Sequence, residues 1–301
     1  MIKNLNTRDE LFLSNLQRIQ GRIDRANAQV SSGLRVTAAS DAPDEIGPLL
    51  QSRAELALTE QAQSNLNRVK GEVDSAEAAL RSVIQLAERV RVLGTQGQTG
   101  TQTAVTRETI AAELQGVFRQ IVGAANSNYD GRFLFAGNND QVEPYTFDLS
   151  QPDGVTPYAG TAATRSVPDA NGVLIPIGRS GQEIFNSPTP GKNLFGAINS
   201  LRLALLANDD AALSVANENL GSALNHVNVQ LTRYGHTQNE IATAMEIATQ
   251  RTLDLKGKIS AIQDTDLADA ILELQTGQTA RQAALQAKGQ EDRRTLFDFL
   301  R

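Results

Sequence analysis

Apolar side chains recur at steps of four and three along both ends of this 301-residue chain, and that spacing constrains the fold more than any other feature. From Phe12 it runs through Leu16, Ile19, Ile23, Ala26 and Val30, one narrow stripe on a helix. The same seam resumes at Leu66, Val69, Val73, Ala76, Leu80, Val83, Ala87 and Val90, until "GTQGQTGTQT" is expected to end that helix in a polar loop. A third helix carries Ile110, Leu114, Val117, Ile121 and Ala125. Helical spacing returns from Leu201 through Leu205, Leu213, Leu220, Leu224 and Leu231, and continues beyond Gly235 to Ile259 and Ile262. A last segment holds Leu267, Ile271, Leu274 and Leu285 before the close "RRTLFDFLR".

Between Tyr129 and Lys192 the character changes. Pro144, Pro152, Pro157, Pro168, Pro176, Pro188 and Pro190 fall there, with "GRFLFAG", "PYTFDL" and "GVLIPIG" as short runs bounded by turn residues. Such runs read as short strands. The fold class is therefore α+β and mainly α: a discontinuous helical coiled-coil rod, built from both ends of the chain, with a small inserted β domain. Aromatic residues make up only 4% and Trp is absent, so Ala, Leu, Ile and Val are expected to do the packing and a core of large rings is not.

A net charge of -6 gives no electrostatic reason to expect nucleic acid or an anionic membrane as partner. Zero cysteines exclude disulfides, thiolate metal sites and a Cys nucleophile. No apolar run is long enough to cross a bilayer, so no membrane insertion is expected, and "MIKNLNTRDELFLSNLQ" lacks the layout of a Sec signal peptide. His226 and His236 lie too far apart for shared chemistry, and no nucleotide loop, nucleophile-base set or paired-ligand motif occurs. The chain reads as no enzyme, with no catalytic residue, cofactor or metal site.

Thin terminal stripes bury little for the backbone they must order. Two such helices are marginal alone and gain stability when neighbouring subunits cover them. The candidate subunit interface is thus Phe12, Leu16, Ile19, Ile23 and Val30 at one end, and Leu267, Ile271, Leu274, Leu285, Leu296, Phe297 and Phe299 at the other.

Between the first two helices lies "VSSGLRVTAASDAPDEIG", residues 30 to 47, where Gly33, Pro43, Gly47 and Pro48 rule out one unbroken helix. The segment resembles the amino-terminal signature of the flagellin superfamily, in which a helix ends in a Ser-Ser-Gly-basic stretch and an Asp-rich turn leads into the next. Matching residues here are Ser31, Ser32, Gly33, Arg35, Ser40, Asp41, Pro43 and Asp44. "NSNYDGRFLFAGNNDQVEPYTF", residues 126 to 147, and "LFDFL", residues 296 to 300, are more similar to the hook-filament junction branch of that superfamily than to its filament subunits.

The resemblance implies an inner assembly domain of residues 1–40 and 265–301, a helical rod of 41–130 and 193–264, and an outer β-rich insert of 131–192. Ser32, Gly33, Asp41, Pro43 and Asp44 would form the inter-domain hinge, with Asp41 and Asp44 capping or complementing a helix N-terminus in preference to binding metal. It further implies a secreted, extracellular structural subunit of the bacterial flagellum, exported through the flagellar type III apparatus with a cytoplasmic chaperone. Its partners would be copies of itself in a ring-like or helical assembly, hook-associated protein 1 and flagellin. Two other readings stay open: a filament-forming flagellin, and a soluble signalling coiled coil, which would share the heptads but has no need of a Pro-rich β domain midway.

Overall fold

The computed structural model describes the backbone of residues 2–100, 102–163 and 165–298, and side chains between residues 9 and 290 apart from 101 and 164. Helices α1 (Ile2–Ser32), α2 (Pro43–Gln98) and α3 (Ala104–Ala125) come first. Two antiparallel hairpins follow, β1 (Asn128–Tyr129) with β2 (Arg132–Phe133) and β3 (Ser166–Pro168) with β4 (Leu174–Pro176). Helices α4 (Gly181–Phe185), α5 (Leu194–Ala207), α6 (Asp210–Gln263) and α7 (Leu267–Asp298) complete the chain. The mainly helical α+β class with small sheets stands.

The chain forms two compact units, one of residues 1–57 with 251–301 and one of residues 58–250, so the division falls inside α2 and α6. In the second unit the α2 stripe behaves as its spacing predicts: Leu66, Val73, Leu80, Val83, Ala87 and Val90 are all fully buried. Helix ends follow different signals from those expected. Gly94 and Gly97 lie within α2, because they are needed for close approach. A Cβ on Gly94 would sit 2.8 Å from Leu201 Cδ2, and one on Gly97 would sit 2.3 Å from Leu205 Cδ2. Gly235 likewise lies inside α6. The break in this half comes at Asn208, in the left-handed conformation (φ 55°) that Asn tolerates. Asp209 then caps α6, its Oδ1 accepting from the amides of Ala211 and Ala212 at 2.9 and 3.0 Å. Arg107 ties the two turns at this end, donating to the Gly97 carbonyl (2.9 Å) and Asn208 Oδ1 (2.8 Å) and pairing with Asp210.

Residues 131–192 do not form a separate domain with its own core. "GRFLFAG" contributes only Arg132 and Phe133 to a strand, and "PYTFDL" makes a single bridge, Phe147 with Val155. Leu134, Phe135, Tyr145, Val155, Ile175, Ile184 and Phe185 instead join the helical residues in one continuous core. At its centre the rings meet one another. Phe118 of α3 lies 5.4 Å from Phe147 and 5.9 Å from Phe195, Tyr145 lies 4.9 Å from Phe195, and Phe135 lies 5.2 Å from Phe185. The expectation of a core without large rings is overturned here: few aromatic residues occur, but most of them are gathered at one place. Edge-to-face ring pairs add to the area they bury.

A shared core makes the insert and its helices one cooperative body. Phe195→Ala should lower the stability of the second unit by about 3–5 kcal/mol, read from the cooperative urea-unfolding transition of residues 58–250 in the full chain. Replacing residues 131–192 by a short Gly-Ser linker should abolish that transition, since Phe118 and Phe195 would lose their cover.

Candidate assembly interface

The first unit is built on α1 and α7, which run antiparallel: Arg22 meets Glu273, Gln20 meets Arg281 and Asp9 meets Lys288. Arg22 donates twice to Glu273, at 2.6 and 2.9 Å, a fork-to-fork geometry that also fixes register. The guanidinium holds the Glu273 carboxyl below its usual range, chiefly through the hydrogen bond. Lys288 extends over the Phe12 ring, 5.8 Å from its centroid.

On α1 the predicted stripe faces inward. Ile23 and Ala26 are buried, and Phe12, Leu16, Ile19 and Val30 are half-buried. Ile23, assigned from the sequence to a seam between subunits, therefore packs within the chain. On α7 the inward face is set by small residues. Ala270 is buried, Leu274 is half-buried, and Gly277 lies so close to Ile23 that a Cβ there would come within 2.8 Å of Ile23 Cγ1. The large α7 side chains of the predicted stripe point elsewhere: Leu267 is 49%, Ile271 43% and Leu285 52% exposed. Leu272 on α7, with Leu11 and Leu13 on α1, adds exposed apolar surface that stripe counting passes over. Their signal was present as large apolar residues off the main stripe on otherwise polar faces. Leu296 and Phe297 lie outside the residues whose side chains are described, and Phe299 lies outside the described residues.

The expected hinge is a hydrogen-bonded bend. α1 stops because Ser32 Oγ donates to the Ala28 carbonyl (2.7 Å) and accepts from the Leu34 amide (3.2 Å), while Gly33 turns left-handed at φ 73°. The next residues pair with the break between α6 and α7. The amides of Arg35 and Val36 donate to the Gln263 carbonyl, at 2.7 and 3.3 Å, and the Thr265 amide donates to the Gly33 carbonyl at 3.0 Å. Arg35 reaches the Ile262 carbonyl at 2.7 Å and pairs with Glu45 at the start of α2, and Arg53 donates to Gln263 Oε1 at 2.7 Å. Both helix breaks are thus laced to each other.

Asp41 does not cap α2, as the sequence suggested. Its Oδ2 accepts from the amides of Thr37 (3.0 Å) and Ala38 (2.8 Å) and from the Thr37 hydroxyl (3.0 Å), closing its own loop. Pro43 opens α2, where its missing N–H costs nothing, and Asp44 sits in the first turn, where a negative charge complements the helix dipole. α2 then continues through Gly47 and Pro48. The carbonyl that Pro48 leaves without its helical donor belongs to Asp44, an exposed residue that water reaches.

Residues 4–140, which hold α1, the laced bend and the helices that follow it, match the bacterial flagellin N-terminal helical region. Over its length the chain is similar to flagellar hook-associated protein 3: it is 27% identical to that of Salmonella typhimurium, covering 92% of each chain, and 26% identical to that of Escherichia coli, covering 86% of this chain and 87% of the other. The fold matches the crystal structure of flagellar hook associated protein-3 from Legionella pneumophila with a TM-score of 0.60, at 15% identity over 72% of this chain and 98% of that one. The resemblance first read in residues 30 to 47 holds for nearly the whole chain.

Asp41 gives the bend a pH dependence. Its backbone and side-chain hydrogen bonds hold its pKa below the usual carboxylate value, so its contribution is fully present above the unfolded-state pKa and is lost as pH falls through the lowered folded one. Protection of the Thr37 and Ala38 amides from hydrogen exchange, relative to the intrinsic rate at each pH, should be high at neutral pH and fall in acid. In Asp41→Ala it should be low at both.

Proposed function

We infer that this chain is a structural subunit of the bacterial flagellum at the hook-filament junction, where it adapts the hook to the flagellin filament. The observation that carries the reading is similarity to hook-associated protein 3 along nearly the full length of both chains. A physical feature agrees with it: Leu267, Ile271, Leu272 and Leu285 of α7 are exposed, and exposed large aliphatic side chains gain from burial against neighbours. Such a subunit acts by assembly, with no chemical step to perform.

The interface, on this reading, uses the exposed faces of α1 and α7, with Leu11 and Leu13 on one and Leu267, Ile271 and Leu285 on the other. Leu296, Phe297 and Phe299 extend it toward the C-terminus. Phe12, Leu16, Ile19, Val30 and Leu274 support it by holding the two helices together. Copies of the chain contact one another there, hook-associated protein 1 lies on the hook side and flagellin on the filament side. Its place is extracellular, reached through the flagellar type III export apparatus with a cytoplasmic chaperone. Ser32, Gly33, Asp41, Pro43 and Asp44 fix the direction in which the terminal pair leaves the long helices.

Two substitutions separate assembly from folding. Ile271→Asp changes an exposed residue and should leave thermal unfolding of the purified chain within about 0.5 kcal/mol of the parent, yet cells carrying it as their only copy should lose attached filaments in electron micrographs. Ile23→Asp places a charge in the intramolecular seam and should destabilise the first unit by several kcal/mol. Normal filaments with Ile271→Asp would remove this face from the interface.

A further inference from the structure

We propose that the cleft between the loop of residues 186–193 and α6 binds oxyanions, either as small polyvalent anions or as carboxylates of an acidic polypeptide segment. The cleft has a volume of about 710 Å³, and its lining includes Lys192, Arg233, His226, Ser222, Asn225 and Glu183. Glu183 is the one carboxylate among the described residues that line it. That carboxylate is already shared between two guanidinium groups, Arg179 at 2.8 Å and Arg233 at 3.3 Å. Lys192 has no carboxylate partner among the described residues, so the cleft carries uncompensated positive charge in a chain whose net charge is -6.

The walls are preformed. Asn186 and Asn193 bridge across the base of the loop, and the Lys192 amide donates to the Thr189 carbonyl at 3.1 Å. Opposite, His226 Nε2 lies 2.8 Å from the Glu183 carbonyl, and Arg233 reaches Gln230 Oε1 at 3.4 Å. Arg233, held by Glu183 and Gln230, and Lys192 stand beside hydroxyl and amide groups, a set that favours a ligand bringing several oxygens at once through charge-assisted bonds. Chloride offers no such set of acceptors.

The test is calorimetric titration of the full-length chain with citrate, with phosphate and with a Glu-rich peptide, each against chloride at matched ionic strength. Binding of at least one oxyanion is expected. It should weaken about tenfold in Lys192→Gln, equivalent to about 1.4 kcal/mol, and be restored in Lys192→Arg. A peptide that binds more tightly than citrate identifies an acidic segment as the ligand, and the reverse identifies a small anion. Failure of all three to bind, or binding that Lys192→Gln leaves unchanged in a variant with parental unfolding, would overturn the proposal.

Discussion

How closely the two ends of the chain approach is set by the absence of a side chain at one place. Gly277 lets α7 lie against Ile23 of α1, with Ala270 buried on the same face. Small residues in a helix-helix seam bring the backbones together and let the facing helix supply the bulk. The larger residues of α7 are consequently free to face outward, and the same choice that closes the intramolecular pair also creates the surface available to neighbours. Had Leu or Ile stood at position 277, the pair would be pushed apart at Ile23.

The bend depends on this pairing as well. The Gly33 carbonyl and the Arg35 and Val36 amides bond to residues 265 and 263, so this part of the N-terminal break is satisfied by the C-terminal break beside it. Backbone groups freed by stopping a helix need partners, and here each break supplies them to the other. A segment whose glycine and prolines suggest looseness is held by main-chain bonds, by Arg35 and by Asp41.

Much of this was legible in the sequence, and the exceptions share a cause. Periodicity located the middle of α2, though not its ends, since residues from Leu66 to Val90 bury one face over many turns and a 3.6-residue repeat is then unambiguous. It located α1 equally well. On α7 it followed size, selecting Leu267, Ile271 and Leu285, whereas the buried face runs through Ala270 and Gly277, residues that carry almost no hydrophobic signal. Glycine at positions 94 and 97 suggests a stop but serves close packing inside a helix, while the turn at Asn208 has neither glycine nor proline beside it. The aromatic core was hidden by averaging: a low percentage over the whole chain says nothing of where the rings fall. The role of Asp41 turned on which amides lie within reach of its carboxylate, and that is a property of the folded loop alone.

The division of the chain also orders its folding in time. The second unit is one continuous stretch, residues 58–250, whereas the first draws on residues separated by that whole stretch. Joining distant segments through a flexible loop costs entropy that grows with loop length, and a chain emerging from the ribosome has no α7 to offer α1 until its last residues appear. Near the limits of the second unit, Gln63 donates to the Thr249 hydroxyl at 3.0 Å, so once that unit forms, the chain leaving it on either side starts from neighbouring points. The loop that must close to bring Arg22 to Glu273, which lie 251 positions apart, is shortened accordingly. The terminal helices are the last part of the molecule to find their partner, and until they do, their apolar stripes remain available to other molecules.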